Sequence, residues 1–382
     1  MNILIAAGAF KHSLTAAQAC WAIERGLSES SLGADLLRLP IADGGNGTLD
    51  AFLATGGERV TVPALDPLLR PIQADYGLID GGRSAVIEMA LASGLELLAA
   101  DELDALRASS FGAGQLLAAA LERGARRFII GLGGSATSDG GMGCLQALGL
   151  RLLDKNGQTL EQGIGGGRLG EIAQFDVSGL DKRWRDAEIV IASDVDNPPL
   201  GENGAAHVFG PQKGANAGQV ARLERNLRHC FTVIHEQRGI DLRAAPGGGA
   251  AGAFAAGLMA FFRCELTSGI ELALRHNRFR DKLTDCDLVI TGEGKLDAQT
   301  LSGKGPLGVA RLAKEYGVPT IVFCGGLAVD EAILRAAGLS AALPIVDAPM
   351  SLEAALQDAE ALLQRAARRL GYVLALREQG AS

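Results

Sequence analysis

The chain alternates between short apolar runs and longer amphipathic stretches. Five apolar runs are rich in branched residues, and a segment rich in glycine or aspartate follows four of them. A short run that is apolar at nearly every position is typical of a strand buried on both faces, as in a parallel sheet. The pattern therefore predicts strands at residues 2–5, 128–130, 188–192, 288–290 and 320–323.

Helical periodicity fills the stretches between these runs. Thr15 and Gln18 have the spacing of a capping box, which predicts a helix from about Thr15. A second helix is predicted by Val220, Leu223, Leu227, Phe231 and Ile234 on one face, and a third, with Ser351 as N-cap, by Leu352, Ala355, Leu356, Ala359, Leu362 and Leu363. Strands that alternate with helices predict an α/β fold, in which ligands bind at the carboxyl ends of the strands.

A length of 382 residues suggests two or three domains. The N-terminal strand and the strands near residues 288, 321 and 343 are predicted to share one sheet, with the middle of the chain inserted between them. This interpretation gives one discontinuous α/β domain, residues 1–75 plus 285–382, and an inserted α/β domain, residues 76–284. A simple division in the middle of the chain is the alternative.

Composition narrows the class of protein. The 52 glycines follow no three-residue period, which excludes collagen, and 48% hydrophobic residues are enough for a core. A net charge of −8 and only 17 aromatic residues argue against nucleic acid and anionic membranes as partners. Neither a signal peptide nor a membrane helix is evident. The six cysteines are dispersed, which favours reduced thiols in a cytoplasmic protein.

The glycine-rich segment 131–141 is the most informative candidate site. Its glycines, among them Gly133 and Gly134, let the backbone approach an anion closely. Ser135 and Thr137 offer hydroxyls, and Asp139 offers a carboxylate for a metal or a ligand hydroxyl. We therefore expect a phosphate site here. A tight turn with a helix cap is the alternative. The segment matches neither a Walker loop nor a dinucleotide fingerprint.

Three further segments carry chemistry. Asp43 opens a glycine turn suited to orienting a substrate hydroxyl or Mg²⁺; a plain turn is the alternative. Asp194, in the segment 193–198 that also carries Asn197, lies at a strand end where a general base would fit; an Asx turn held by the two prolines is the alternative. The segment 246–253, which includes Gly248 and Gly249, suits a phosphate or a carboxylate, or else a close packing contact.

Charged residues follow the predicted strand at 288–290. Glu293, Lys295, Asp297 and Lys304 combine acidic groups for Mg²⁺ with lysines for phosphate oxygens, as phosphoryl transfer requires. Salt-bridged surface charge is the alternative.

Taken in chain order, these segments resemble those of the bacterial type I glycerate kinase family over nearly the full length. The matching segments are 42–45, 87–90 with 93–95, 131–141, 193–195 with 197–198, 209–215, 246–252 and 289–294 through 303–306. The resemblance implies phosphorylation of D-glycerate to 2- or 3-phosphoglycerate, dependent on ATP and Mg²⁺. It also implies two α/β domains with mainly parallel sheets, of which the inserted one is taken as flavodoxin-like, with the active site in the cleft between them. A monomer or homodimer is expected.

The resemblance also suggests roles for individual residues. Asp194 is the candidate base and Lys11 a candidate catalytic phosphate or carboxylate ligand. The other candidates are Asp43, Asn197, Gly248 and Gly249 for the substrate, Gly133, Gly134, Ser135, Thr137, Asp139, Gly292 and Lys304 for the nucleotide phosphates, and Glu293 and Asp297 for the metal.

The chain departs from the family pattern at positions expected to face the site. Gly8 and Ala9 stand where the family has aspartate and serine, Asn46 where it has glutamate, and Ala113 where it has threonine. These departures leave open a different small hydroxy acid as substrate, reduced activity, or a non-catalytic ligand-binding relative.

Overall fold

The computed structural model describes residues 1–297 and 305–379. Its contacts divide the chain into two compact units: the first comprises residues 1–43, 50–55 and 269–382, and the second residues 44–49 and 56–268. This division differs from the predicted one over 44–49 and 56–75, which belong to the second unit, and over 269–284, which belong to the first. Residues 56–75 include most of a strand hairpin in the second unit's sheet, and the helices of 269–284 pack on the first unit's sheet. The sequence did not indicate the hairpin, because its strands are only partly buried.

The described strands are β1 (Asn2–Ala7), β2 (Asp35–Arg38), β3 (Glu58–Leu65), β4 (Pro71–Ile79), β5 (Ser84–Glu88), β6 (Arg127–Gly131), β7 (Arg151–Leu153), β8 (Gln174–Asp176), β9 (Glu188–Ala192), β10 (Cys264–Thr267), β11 (Leu288–Leu296), β12 (Thr320–Leu327) and β13 (Ala341–Pro344). The described α-helices are α1 (Ala16–Ser28), α2 (Thr48–Leu53), α3 (Ala90–Ser93), α4 (Phe111–Glu122), α5 (Met142–Ala147), α6 (Ala205–Phe209), α7 (Ala217–Arg238), α8 (Ala250–Phe261), α9 (Gly269–His276), α10 (Phe279–Leu283), α11 (Pro306–Glu315), α12 (Glu331–Ala336), α13 (Leu352–Gln357) and α14 (Ala359–Gln379).

The first unit is built on a five-stranded parallel sheet in the order β2-β1-β11-β12-β13. Because successive side chains of a strand point to opposite faces, Ile3 and Ile5 pack with α1 and α14, while Leu4 packs with α9, α10 and α11. Numbered along this unit alone, the strand order is 2-1-3-4-5, the flavodoxin-like order. The expectation that the inserted domain carries this order is therefore wrong: it belongs to the unit that contains both termini.

The second unit is built on a six-stranded sheet in the order β10-β9-β6-β5-β4-β3. The strands β5, β6, β9 and β10 are parallel, and the hairpin of β3 and β4 extends the sheet in antiparallel sense. The strands β7 and β8 form a separate two-stranded antiparallel sheet. The predicted α/β fold with mainly parallel sheets is confirmed.

Two of the three predicted helices form as expected. In α1, the Gln18 nitrogen donates to Thr15 Oγ1 (3.2 Å) and the Thr15 nitrogen donates to Gln18 Oε1 (2.9 Å), which completes the capping box. The five apolar residues predicted for α7 are all buried. The third helix is instead two helices, α13 and α14, because Asp358, which ends the first, has a non-helical backbone conformation (φ −93°, ψ +10°). Leu352 is exposed.

The strand β11 is longer than its apolar run predicted. The polar residues after Ile290 continue as strand because β12 pairs along them, with Glu293 opposite Cys324 and Lys295 opposite Gly326. Residues 291–296 are therefore not a loop. None of the helices in the described ranges combines the length and the apolar character needed to cross a lipid bilayer.

Candidate active site

In the second unit, four neighbouring parallel strands end in one row. The register places Glu88 opposite Gly131, Gly131 opposite Ala192, and Ala192 opposite Thr267. The segments that follow these residues therefore start side by side at the carboxyl edge of the sheet, where α/β folds bind ligands. This edge brings together nine of the predicted residues: Gly133, Gly134, Ser135, Thr137, Asp139, Asp194, Asn197, Gly248 and Gly249.

Protein backbone packs closely against the first glycines of the segment 131–141. The Gly133 nitrogen donates to the Gly44 carbonyl (2.9 Å), and a Cβ added at Gly133 would lie 2.4 Å from the Cα of Gly45. Gly134 has a φ of +73°, and a Cβ there would lie 2.3 Å from Asn46 Oδ1. These glycines are therefore required by contacts within the protein. Asp43, next to Gly44 in sequence, belongs to the first unit.

Asp139 organises the second half of this segment. Its carboxylate is fully buried and accepts from the nitrogen and hydroxyl of Ser110 (2.8 and 2.7 Å) and from the nitrogens of Gly141 (3.1 Å) and Gly143 (3.2 Å). Burial raises the pKa of Asp139, and these donors oppose the rise. The Asp139 carboxylate thus engages the amides of Gly141 and Gly143 at the start of α5.

Lys213 is a residue of this edge to which sequence reasoning gave no role. It ends a short 3₁₀-helix, Pro211–Lys213, and only 2% of its surface is exposed. Its Nζ donates to the Thr137 carbonyl (2.6 Å) and to Ser135 Oγ (3.2 Å). Burial lowers the pKa of Lys213 to about 7, and the Asp139 carboxylate opposes the decrease. The sequence signal that could have identified Lys213 was its position in the segment 209–215, which matches the family pattern.

Asp194 follows β9 and is half-buried. The backbone before it is fixed, because the Ser193 nitrogen donates to the Thr267 carbonyl (3.0 Å). Asp194 is thus attached to a rigid strand end, one strand away from the segment 131–141. A carboxylate in such a place can accept a proton from a bound hydroxyl.

A hydrogen bond links Asn197 to Gly249, and another links Asn197 to Asn203. Asn197 Nδ2 donates to the Asn203 carbonyl (2.8 Å), and the Gly249 nitrogen donates to the Asn197 carbonyl (2.8 Å). A Cβ at Gly249 would lie 2.3 Å from the Pro198 carbonyl oxygen, and the Gly248 nitrogen donates to the Ala245 carbonyl. These contacts favour the alternative interpretation of this glycine segment, a close packing contact.

Glu88 was also missed as an individual residue. It is 4% exposed, and its carboxylate accepts from the nitrogens of Gly47 (3.1 Å) and Leu49 (3.0 Å). It therefore fixes the turn after Gly44 against the end of β5. Ala113, expected to face the site, is instead fully buried within the second unit's core.

The first unit holds a second group of predicted residues. Ala7 lies opposite Gly292 in the sheet, and the Gly8 nitrogen donates to the Gly292 carbonyl (2.9 Å). Lys11 is exposed in the turn after β1. A Cβ added at Gly294 would lie 3.1 Å from the Lys11 nitrogen, so this turn lies against β11.

The acidic residues of this group lie at the end of β11. Glu293 and Lys295 are two residues apart in β11 and so point to the same side, and Asp297 directly follows the strand. Lys295 Nζ lies 3.4 Å from Asp297 Oδ2. Lys304 lies outside the described residues. Over residues 1–297 and 305–379, no cluster of three or more His, Cys, Asp or Glu side chains forms a candidate metal site.

Known proteins match this chain over nearly its full length. Residues 3–375 match the model of the glycerate kinase family. The chain is 45% identical to a glycerate kinase of Halalkalibacterium halodurans, covering 97% of this chain and 98% of that protein. It is 43% identical to the glycerate 2-kinase of Escherichia coli, covering 98% of each. A crystal structure of a Salmonella typhimurium LT2 protein assigned as glycerate kinase 2 matches with a TM-score of 0.86 and 43% identity, covering 99% of each chain.

Proposed function

Because the chain belongs to the glycerate kinase family and is a phosphotransferase that acts on an alcohol group, we propose that it phosphorylates D-glycerate with ATP and Mg²⁺. We propose 2-phosphoglycerate as the product, because the Escherichia coli relative is a glycerate 2-kinase. The order of the matching segments supports membership of the bacterial type I branch. The cytoplasmic location and the monomeric or homodimeric state stay predictions.

The observation that carries the proposal is the register of β6 and β9, with Gly131 opposite Ala192. It sets the base candidate Asp194 one strand away from the hydroxyls of Ser135 and Thr137. Phosphoryl transfer needs a base at the acceptor hydroxyl and donors around the transferred group. In this proposal Asp194 takes the proton of the attacking glycerate hydroxyl while the other carboxyl-edge groups orient the reactants.

Glu293 and Asp297 fit the requirements of Mg²⁺ in their donor chemistry. Both offer carboxylate oxygens at the end of β11, and Mg²⁺ commonly uses one or two carboxylates together with phosphate oxygens and water. When bound, the ion would neutralise charge on the phosphate oxygens. Lys295 lies between the two carboxylates in sequence and pairs with Asp297. We propose that Lys11 and Lys304 complement the same negative charge.

A second candidate function is phosphorylation of another small hydroxy acid. It is favoured by Gly8, which stands where the family has aspartate. The Gly8 nitrogen donates a hydrogen bond to the carbonyl of Gly292, the residue before Glu293. Such a change removes a carboxylate from the end of β1 and alters the charge offered to an acid substrate.

The test is ³¹P NMR of the products formed from ATP, Mg²⁺ and D-glycerate, because this measurement distinguishes 2-phosphoglycerate from 3-phosphoglycerate. Reactions without D-glycerate, without Mg²⁺, or with other hydroxy acids serve as controls. We expect one new phosphomonoester signal that requires all three components. A purified, folded protein that forms no glycerate-dependent ADP would refute the proposal.

A further inference from the structure

Lys213 is a buried cation that contacts the phosphate-site candidate from inside the protein. Its Nζ donates to the Thr137 carbonyl (2.6 Å) and to Ser135 Oγ (3.2 Å). Both of these acceptors are uncharged oxygens. Burying a charge without a paired counterion is costly, so the position of Lys213 calls for a functional explanation.

The contact with Ser135 determines where the serine proton points. A hydroxyl has one proton to donate, and an ammonium group can only donate. Because Ser135 Oγ accepts from Lys213, the Ser135 proton must be directed away from the lysine. The backbone on both sides of Ser135 is fixed, since the Leu95 nitrogen donates to the Gly134 carbonyl (2.8 Å) and the Ala136 nitrogen donates to the Ser93 carbonyl (2.9 Å).

Both residues are buried at the carboxyl edge of the sheet. Lys213 is 2% exposed and Ser135 is 6% exposed. A charged donor behind a hydroxyl strengthens the hydrogen bond that the hydroxyl itself donates.

We propose that Lys213 is a positioning residue for nucleotide binding: it holds the Ser135 hydroxyl as a donor to a phosphate oxygen of ATP or ADP. This inference rests on the proposed function, because it takes a nucleotide as the ligand of this edge. A neutral amine has a lone pair that can accept the serine proton and withdraw it from the ligand, which an ammonium group cannot do. The ammonium form is thus the one that prepares the site.

The experiment uses the full chain and ADP as the probe, so that binding is measured apart from catalysis. Calorimetry gives the ADP dissociation constant for the wild type, Lys213→Met, Lys213→Arg, Ser135→Ala and the double variant Lys213→Met/Ser135→Ala. Lys155→Met, an exposed lysine of the same unit, is the matched control. Steady-state kinetics then separate KM for ATP, KM for D-glycerate and kcat.

We expect Lys213→Met and Ser135→Ala each to weaken ADP binding about ten- to hundredfold, the range for lost hydrogen bonds to charged groups. Because the two act through one contact, the double variant should be little worse than either single variant. Lys213→Arg should recover part of the affinity, and KM for D-glycerate should change little. Lys155→Met should bind as the wild type does.

Unchanged ADP binding in a folded Lys213→Met protein would overturn the inference, and so would fully additive losses in the double variant. If Lys213→Met fails to fold, the cycle with Lys213→Arg and Ser135→Ala makes the same comparison. A wild type that binds ADP in a Lys213-dependent way but does not phosphorylate D-glycerate would refute the proposed function alone. A wild type that binds no ADP would overturn the inference.

Discussion

The Nζ of Lys213 lies 2.6 Å from the carbonyl oxygen of Thr137, in a place where only 2% of the lysine is exposed. Its pKa is lowered to about 7 by burial, and the attraction of Asp139 offsets only part of that effect. The buried amine therefore affects stability as well as binding, in a way that depends on pH.

We predict that the titration of Lys213 makes the free energy of unfolding rise with pH. Between about pH 7 and the ordinary lysine value of 10.5, the unfolded chain binds a proton that the folded chain has largely released. Stability therefore rises across this window, by at most about 1.4 kcal/mol per pH unit from this group. Below about pH 7 both states are protonated, and the full cost of burying the cation remains.

Urea unfolding at a series of pH values tests this prediction. Lys213→Met should remove this contribution to the slope above pH 7, and Lys155→Met should keep it. Parallel curves for the wild type and Lys213→Met would show that Lys213 keeps an ordinary pKa in the folded protein.

Asp194→Asn tests the proposed base. Asparagine keeps the shape of the side chain and cannot take a proton, so we predict a decrease in kcat of about 10²–10⁴-fold with little change in ADP affinity. Asp196→Asn, an exposed neighbour, is the matched control and should retain turnover. Equal turnover in the two variants would exclude Asp194 as the base. The measurement is a coupled ADP assay at saturating substrates, with calorimetry for ADP.

Asp139 is predicted to serve stability more than ligand binding. In Asp139→Ala the donors on Ser110, Gly141 and Gly143 would remain buried without their acceptor, at about 1–3 kcal/mol for each unsatisfied group. We expect a clearly lower midpoint in urea unfolding, while Asp101→Ala, an exposed carboxylate of the same unit, should change it little. A stable Asp139→Ala protein with lost ADP affinity would instead assign Asp139 to the ligand.

The sequence predicted those parts of the fold that leave a one-dimensional pattern. The strand at residues 188–192 matches β9, and the capping box at Thr15 forms, because both depend on neighbouring residues. The break before Ala359 and the extension of β11 were not predicted. The extension of β11 depends on pairing with a strand distant in sequence, and the break depends on the backbone conformation of one residue, Asp358, neither of which periodicity reveals.

Residue type alone did not separate ligand-facing groups from structural ones. Gly133 and Gly249 were chosen because bare backbone can approach an anion, and in the structure each is in close contact with other protein backbone. Lys213 was passed over although its burial makes it unusual. The reason is physical: the same small or charged residue suits either use, and only tertiary contacts distinguish the two.

Gly8 offers a test of the departures from the family pattern. A Cβ added at Gly8 would lie 3.4 Å from the Gly292 carbonyl oxygen, an ordinary contact, and the residue does not have a positive φ. Gly8→Asp is therefore expected to fold normally. It would restore the carboxylate that the resemblance places at the end of β1, next to Gly292 and Glu293 in the sheet.

We predict that Gly8→Asp raises kcat/KM for D-glycerate about tenfold and lowers the Mg²⁺ concentration needed for half-maximal rate, because an added carboxylate can bind the cation. Gly8→Asn has nearly the same shape without the charge and should give no such gain. The ADP assay with D-glycerate and a panel of small hydroxy acids measures both effects. If Gly8→Asp brings no gain and the wild type prefers another acid in the panel, the missing carboxylate reflects a different substrate, because the site would then be adapted to that acid's charge.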